Sequence, residues 1–339
     1  MTRVLITGAT GGLGRNAVER ALSEGWQVTA TGRRGDILRA LVAQGAKTYQ
    51  ADLVSLPGKL LVELMDLQDV VWHCAALAAP WGVRSDFIEA NAEMPARLFE
   101  AAVRAGVSTF VHISSPALYF DYKHHRCVSE NYRAAHFASF YAESKALGEE
   151  RLQELARAHP GTRLVILRPR VIFGPYDQVV FPRILNFLAR HHDCLVLPNG
   201  GRALVDMVYV ENVVEALILA SKFNVESGSV FNISNGEPVV LREALTALLR
   251  TMGRKVEVLS LPYSLLRGAV AVDEWFARLT NREPALTSHT LGGMAFDMTL
   301  DIRAAEHHLG YRPLVRMAEG LQRTAKWLNS SGSLAVNGV

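Results

Sequence analysis

The first half of the chain alternates short apolar or β-branched runs with longer segments whose apolar residues recur at helical intervals. The runs are "RVLIT", "WQVTATG", "AKTYQADL", "DVVWHCAA", "VSTFVHISS" and "TRLVILRP"; between them lie segments such as "GRNAVERALSEG", "DILRALVAQG" and "RSDFIEANAEMPARLFEAAVRAG". Near-continuous apolar strands separated by amphipathic helices are what a parallel sheet requires when helices cover both of its faces. The pattern predicts roughly six strands before residue 170. After Pro169 it loosens into "GPYDQVVFPRILNFLAR", "CLVLP", "MVYV", "ENVVEALILAS" and "VFNIS", followed by a mostly helical remainder.

The expected architecture is α/β: a doubly wound Rossmann parallel sheet over residues 1–170, to which 203–235 returns. Residues 171–202 and 236–330 form a smaller, interleaved substrate lobe, and the small polar tail 331–339 frays. The apolar segment "LSLPYSLLRGAVAVDEWFARL", residues 259–279, reads first as a buried helix of that lobe. Its alternatives are a cover over a hydrophobic substrate or a membrane-surface contact.

Composition narrows the function. With 339 residues, 49% hydrophobic and 20% charged, the chain is an ordinary globular protein rather than a disordered one. A net charge of +3 without any run of basic residues argues against nucleic acid and for a small-molecule partner. Cys74, Cys127 and Cys194 are scattered, which gives neither a disulfide framework nor a metal site, and a reducing cytoplasm is expected. No apolar stretch reaches the roughly 18 residues of a membrane helix, and the N-terminal run is broken by glycines, unlike a signal peptide.

The stretch "VLITGATGGLGRNAVERAL" places Gly8, Gly11, Gly12, Leu13 and Gly14 between a strand and an amphipathic helix. Small residues there let the backbone approach a pyrophosphate seated on the helix N-terminus, the arrangement of a dinucleotide site. The second strand ends in "TATGRRGD", so Arg33 and Arg34 stand where a ribose-binding carboxylate would serve NAD. An arginine pair suits a 2′-phosphate, so NADP is expected, with NAD as the alternative. Asp52, followed by Leu53, ends the third strand facing the adenine edge, or else caps that strand.

Tyr-x-x-x-Lys occurs twice, as "YFDYK" (Tyr119, Lys123) and "YAESK" (Tyr141, Lys145). A lysine one helical turn after a tyrosine can hold its ammonium near the phenol and lower the phenol pKa from about 10. Tyr119 leads into the polar "HHRCVSEN", whereas Tyr141 opens a segment with apolar residues at helical spacing. Only the second pair is expected to share a helix face.

Taken in order, "TGATGGLG", "HISS", "YAESK" and "LRPRVIFGP" resemble the extended short-chain dehydrogenase/reductase superfamily across essentially the whole chain. The resemblance implies that Tyr141 donates and accepts the proton. Lys145 binds the nicotinamide ribose while polarising Tyr141, Ser115 orients the substrate oxygen, and Asn91 supports a water relay to the lysine. Ser115 is located by Tyr119, four residues on. The resemblance further assigns His73, Ala75 and Ala76 to the cofactor edge, Pro169 to the carboxamide, and a homodimer through paired long helices.

Within the superfamily the chain resembles the 3β-hydroxysteroid dehydrogenase and 2-alkyl-3-oxoalkanoate reductase branch. Val171 and Val205 stand where nucleotide-sugar enzymes usually carry Asn and Arg. Trp81, Tyr176 and Phe181 would then wall an apolar substrate pocket, or simply pack. The expected activity is reduction of a ketone on a bulky hydrophobic molecule, or the reverse oxidation. A nucleotide-sugar epimerase or dehydratase, and a catalytically silent cofactor sensor, are the alternatives.

Overall fold

The computed structural model describes residues 1–178, 181–190, 193–280 and 282–330; the tail expected to fray, 331–339, lies outside them. Seven strands build the central sheet: β1 (Arg3–Thr7), β2 (Gln27–Gly32), β3 (Lys47–Gln50), β4 (Val70–His73), β5 (Thr109–Ile113), β6 (Arg163–Pro169) and β7 (Ser229–Ile233). Their order is β7-β6-β5-β4-β1-β2-β3, and every neighbouring pair is parallel. Connections diverge between β1 and β4, which places a switch point beyond the carboxyl end of β1.

Val4, Leu5 and Ile6 of β1 are fully buried, as their unbroken apolar run requires when both faces are covered. The covering helices include α1 (Gly12–Ser23), α2 (Gly35–Ala43), α3 (Gly58–Met65), α4 (Met94–Arg104), α5 (Phe140–Ala158) and α6 (Val210–Lys222). Helix Arg84–Ile88 and a π-helical turn, Glu89–Glu93, run directly into α4.

A second sheet joins Leu204–Val205, Val239–Val240, Met298–Leu300 and His125–Val128, and Cys194–Pro198 pairs with Glu257–Leu261. The lobe has its own apolar core, which includes Phe173, Phe181, Leu197, Leu248 and Leu321. Helix Tyr263–Thr280 departs from expectation: only Val270 and Ala277 are buried, while Leu265, Val272, Trp275, Phe276 and Leu279 are exposed. At about 100° per residue these exposed side chains fall on one side of the helix. The opposite side carries Val270, Ala277 and the polar anchor of Glu274 on Ser288, so the outer face stays apolar and exposed. Among the described residues no helix is long and apolar enough to cross a membrane.

Candidate active site

The β1–α1 turn is tight for a steric reason. Gly8 has φ +66°, and a Cβ there would lie 2.7 Å from the Ala75 nitrogen. A Cβ on Gly14 would overlap the Gly8 carbonyl, which already accepts from the Gly11 N–H at 2.9 Å. Gly11 caps α1 without any side chain, so the first helical N–H groups around Gly12 and Leu13 remain available to an anion. This cradle, which side chains would fill, fits a dinucleotide pyrophosphate.

At the end of β2 both arginines are exposed. Arg34 pairs with Asp36 at 3.3 Å, a contact that solvent screens between groups this exposed. Arg33 makes no ion pair among the described residues, and its carbonyl accepts from Gln50 Nε2 at 3.0 Å. Asp52 turns its Oδ1 to the Val54 N–H at 3.2 Å, a local turn that leaves the carboxylate exposed, and Leu53 is buried in the core. After β4 the Ala75 N–H donates to Thr7 Oγ1 at 3.3 Å, and Ala76 is exposed. Pro169 is buried at the end of β6.

Ser115 lies just past β5. Its Oγ accepts from the Ala117 N–H at 3.1 Å and caps the short 3-10 turn Pro116–Tyr119. Ser139 caps α5 in the same way, with its Oγ accepting from Ala142 N at 3.2 Å, which places Tyr141 in the first turn. The half-buried Tyr141 phenol lies beside the Ser115 hydroxyl; burial raises its pKa and Ser115 opposes the rise. One turn on, Lys145 is 1% exposed and donates from Nζ to the Ile113 carbonyl at 2.8 Å. Desolvation brings its pKa down to about 8, with Glu149 and Cys74 opposing.

This corrects one expectation. The Lys145 ammonium is engaged by the end of β5, and Tyr141 stays above the ordinary phenol value because desolvation outweighs the effect of Ser115. The other motif pair has no shared chemistry. Tyr119 is fully buried, donates to Asn232 Oδ1 at 2.9 Å and accepts from Arg168 Nη1, and burial pushes its phenol up to about 12. Lys123 is three-quarters exposed beside Asp121.

Asn91 sits in the π-helical turn. Its Oδ1 accepts from Leu77 N at 2.8 Å, and its Nδ2 donates to Leu77 O and to Ser144 Oγ, each at 3.0 Å. Its side chain thus clips the loop after β4 to α5, next to Lys145. His73 and His112 stack at 5.2 Å, both fully buried, and His73 Nδ1 bonds Thr7 Oγ1 at 2.7 Å. Burial drives the His73 pKa down to about 3 and that of His112 well below its ordinary value, with the Lys145 charge adding to both.

Two of the aromatics offered for a pocket take the packing alternative. Tyr176 lies against α1: the Arg15 guanidinium sits 3.7 Å from its ring centroid, its hydroxyl donates to Glu19 at 3.0 Å, and its edge meets Trp327. Its hydroxyl and ring are both satisfied there. Phe181 is 1% exposed, edge-on to Phe173 inside the lobe core, so its role is packing. Trp81 is partly exposed beneath the Arg278 guanidinium, which bridges the loop after β4 to helix Tyr263–Thr280.

A separate aromatic cluster forms from Phe120, Tyr122, Tyr263, His289 and Phe296, with Phe120 buried in the main core. Phe120 packs on Tyr122 at 5.0 Å, on His289 at 5.5 Å and on Phe296 at 6.3 Å, and Tyr263 meets Phe296 at 5.1 Å. The Tyr122 hydroxyl reaches the Ala138 carbonyl at 3.4 Å, just before the start of α5. These rings come from separate segments with no common period, so sequence spacing offers no sign of them. Among the described residues no cluster could hold a metal ion.

Fold and site together define an NAD(P)-dependent oxidoreductase of the doubly wound α/β class. The chain belongs to the NAD dependent epimerase/dehydratase family, whose model matches residues 4–234. It is 42% identical to the uncharacterized protein YbjS of Escherichia coli strain K12, over 98% of this chain and 99% of that protein. It is 30% identical to the 2-alkyl-3-oxoalkanoate reductase of Shewanella oneidensis, over 95% of this chain and 85% of that protein. The solved structure of MoeE5 with UDP-glucuronic acid and NAD shares the fold, with a TM-score of 0.76 at 23% identity over 98% of this chain and all of that one.

Proposed function

We propose that the protein is an NADP-dependent reductase of a ketone on a hydrophobic molecule, or catalyses the reverse alcohol oxidation. The observation that carries this reading is the Tyr141 phenol, in the first turn of α5, set beside the Ser115 hydroxyl at the carboxyl edge of the sheet. The nicotinamide, when bound, supplies the hydride for the ketone carbon or takes it from the alcohol. Tyr141 holds the proton at its phenol oxygen and delivers it to the substrate oxygen, so hydride and proton together give the alcohol.

Ser115 donates to the same oxygen, and its cap bond to Ala117 holds it in place as charge develops. Lys145 positions the ribose, and Asn91 holds the lysine's neighbour Ser144. Arg33 is the guanidinium offered to a 2′-phosphate. A hydrophobic ketone is in keeping with the 2-alkyl-3-oxoalkanoate named for the Shewanella relative.

Replacing Tyr141 by Phe tests this reading. Ketone reduction is expected to fall by about 10²–10⁴ while NADP binding, read by calorimetry, persists. Full turnover in that variant would sink the assignment.

A further inference from the structure

Helix Tyr263–Thr280 runs for 18 residues, about 27 Å, over the surface of the lobe. Leu265, Val272, Trp275, Phe276 and Leu279 are each 49–65% exposed, a level that leaves the bulk of every one of these side chains in contact with solvent. At about 100° per residue they occupy an arc of about 100°. The exposed Gly268, Ala269 and Ala271 widen that arc to about 160°. No charged residue falls inside it, and Ser264 is its one polar member. Val270 and Ala277, the buried pair, lie on the opposite side.

The helix is fixed in this orientation at both ends. Tyr263 N donates to Asn199 Oδ1 at 3.0 Å, and the Tyr263 ring meets Phe296 at 5.1 Å. Near the other end Asp273 pairs with Arg282 and accepts from the Ala285 N–H at 2.8 Å, while Glu274 accepts from the Ser288 N–H at 2.7 Å and from its hydroxyl at 2.9 Å. Both carboxylates of the helix are thus held by the segment that follows it. Its two arginines are not: Arg267 is exposed and Arg278 rests over the Trp81 ring at 5.6 Å, and neither makes an ion pair among the described residues. Both fall on one flank of the apolar arc, next to Ala271, so the face has a positive rim.

Exposed apolar patches of a few hundred Å² mark interaction surfaces. A strip about 27 Å long and about 10 Å wide covers roughly 270 Å², well short of the ~800 Å² that each partner of a standard protein interface buries. A single convex helix that presents Trp, Phe, Leu and Val outward, with arginines at the border, has instead the form of a helix lying in a lipid interface. We propose that helix Tyr263–Thr280 seats the protein on an anionic phospholipid surface. Trp275, Phe276, Val272, Leu265 and Leu279 enter the boundary between headgroups and acyl chains, and Arg267 and Arg278 meet the phosphates. The inference stands apart from the reductase reading and holds whatever the chain turns over.

The test is co-sedimentation of the full chain with vesicles of equal parts phosphatidylglycerol and phosphatidylcholine, and with vesicles of phosphatidylcholine alone. The native protein is expected to partition onto the mixed vesicles and less onto the neutral ones. Trp275→Ser combined with Phe276→Ser should weaken binding to the mixed vesicles about 10–100-fold, the loss of two apolar anchors. Arg267→Gln should weaken it about 5-fold, the share of one basic residue at an anionic surface, and leave binding to neutral vesicles unchanged. All three substitutions alter exposed side chains, so urea midpoints should match that of the native protein. Sedimentation velocity without lipid gives the second readout, and the Trp275 and Phe276 replacements should leave the mass in solution as it was. No binding to the mixed vesicles, equal binding to the two kinds of vesicle, or binding that survives the loss of Trp275 and Phe276 overturns the proposal. A lipid-free dimer that those replacements dissociate also overturns it, by assigning the face to a second copy of the chain.

Discussion

Glu149 and Arg168 form a forked ion pair with exposures of only 3% and 0%, and it locks α5 to β6 two helical turns below Tyr141. Arg168 also donates to Tyr119 and to the Glu130 carbonyl at 2.9 Å. The pair therefore holds together the strand, the helix and the loop that present Ser115 and Tyr141.

Breaking it from one side leaves a buried charge. Glu149→Gln is expected to lower unfolding stability by about 3–5 kcal/mol, and the joint replacement Glu149→Leu with Arg168→Met by clearly less. Urea midpoints of the two variants check this; equal losses would show that the charge pairing is not the cause.

Ser115 is the one partner that draws the Tyr141 phenol down against burial. Ser115→Ala should reduce kcat about 10²–10³-fold, the loss of one oxygen-stabilising donor. The alkaline limb of the pH–rate profile should move upward. A kcat loss with an unmoved limb would mean that Ser115 acts on the substrate alone.

The proposed 2′-phosphate contact is tested at Arg33. Arg33→Ala should weaken NADP about 10–100-fold, the loss of a charge-assisted contact of about 1.5–3 kcal/mol, and change NAD little. Calorimetry with both nucleotides decides, and an equal effect on the two would remove the 2′-phosphate contact.

The buried His73 and His112, with the partly buried His289, predict acid sensitivity. His73, His112 and His289 have folded pKa values below the ordinary one, about 3 for His73 and about 4 for His289. Below about pH 6.5 the unfolded chain takes up protons that the folded chain refuses, so each histidine removes about 1.4 kcal/mol of stability per pH unit of acidification. Asp206 acts the other way: its folded pKa is raised to about 6, so it adds stability as pH falls from there toward the unfolded carboxylate value. Urea midpoints at pH 7.5 and 5.5 should show a net loss at the lower value. His112→Phe, which removes two unpaired nitrogens, should reduce that loss by about one histidine's share.

What the chain determines on its own is local and periodic. The apolar runs of β1 to β6, the glycine turn at Gly8 to Gly14 and the helical spacing around Tyr141 are each written within a few neighbouring residues, where propensity and sterics act. The choice between Tyr119 and Tyr141 was legible for the same reason, since only one of them begins a continuous helical stripe.

The tertiary structure decided what depends on residues far apart in the chain. Lys145 turns to Ile113 rather than relaxing the phenol, Tyr176 and Phe181 pack away from the edge, and Phe120, Tyr122, Tyr263, His289 and Phe296 converge into one cluster from separate segments. Helix Tyr263–Thr280 keeps an apolar outer face, because only Val270 and Ala277 of its apolar residues turn inward, next to the polar anchor of Glu274 on Ser288. Burial, partner choice and the pKa values that follow from them are properties of the packed assembly, and no spacing rule along a single strand or helix encodes them.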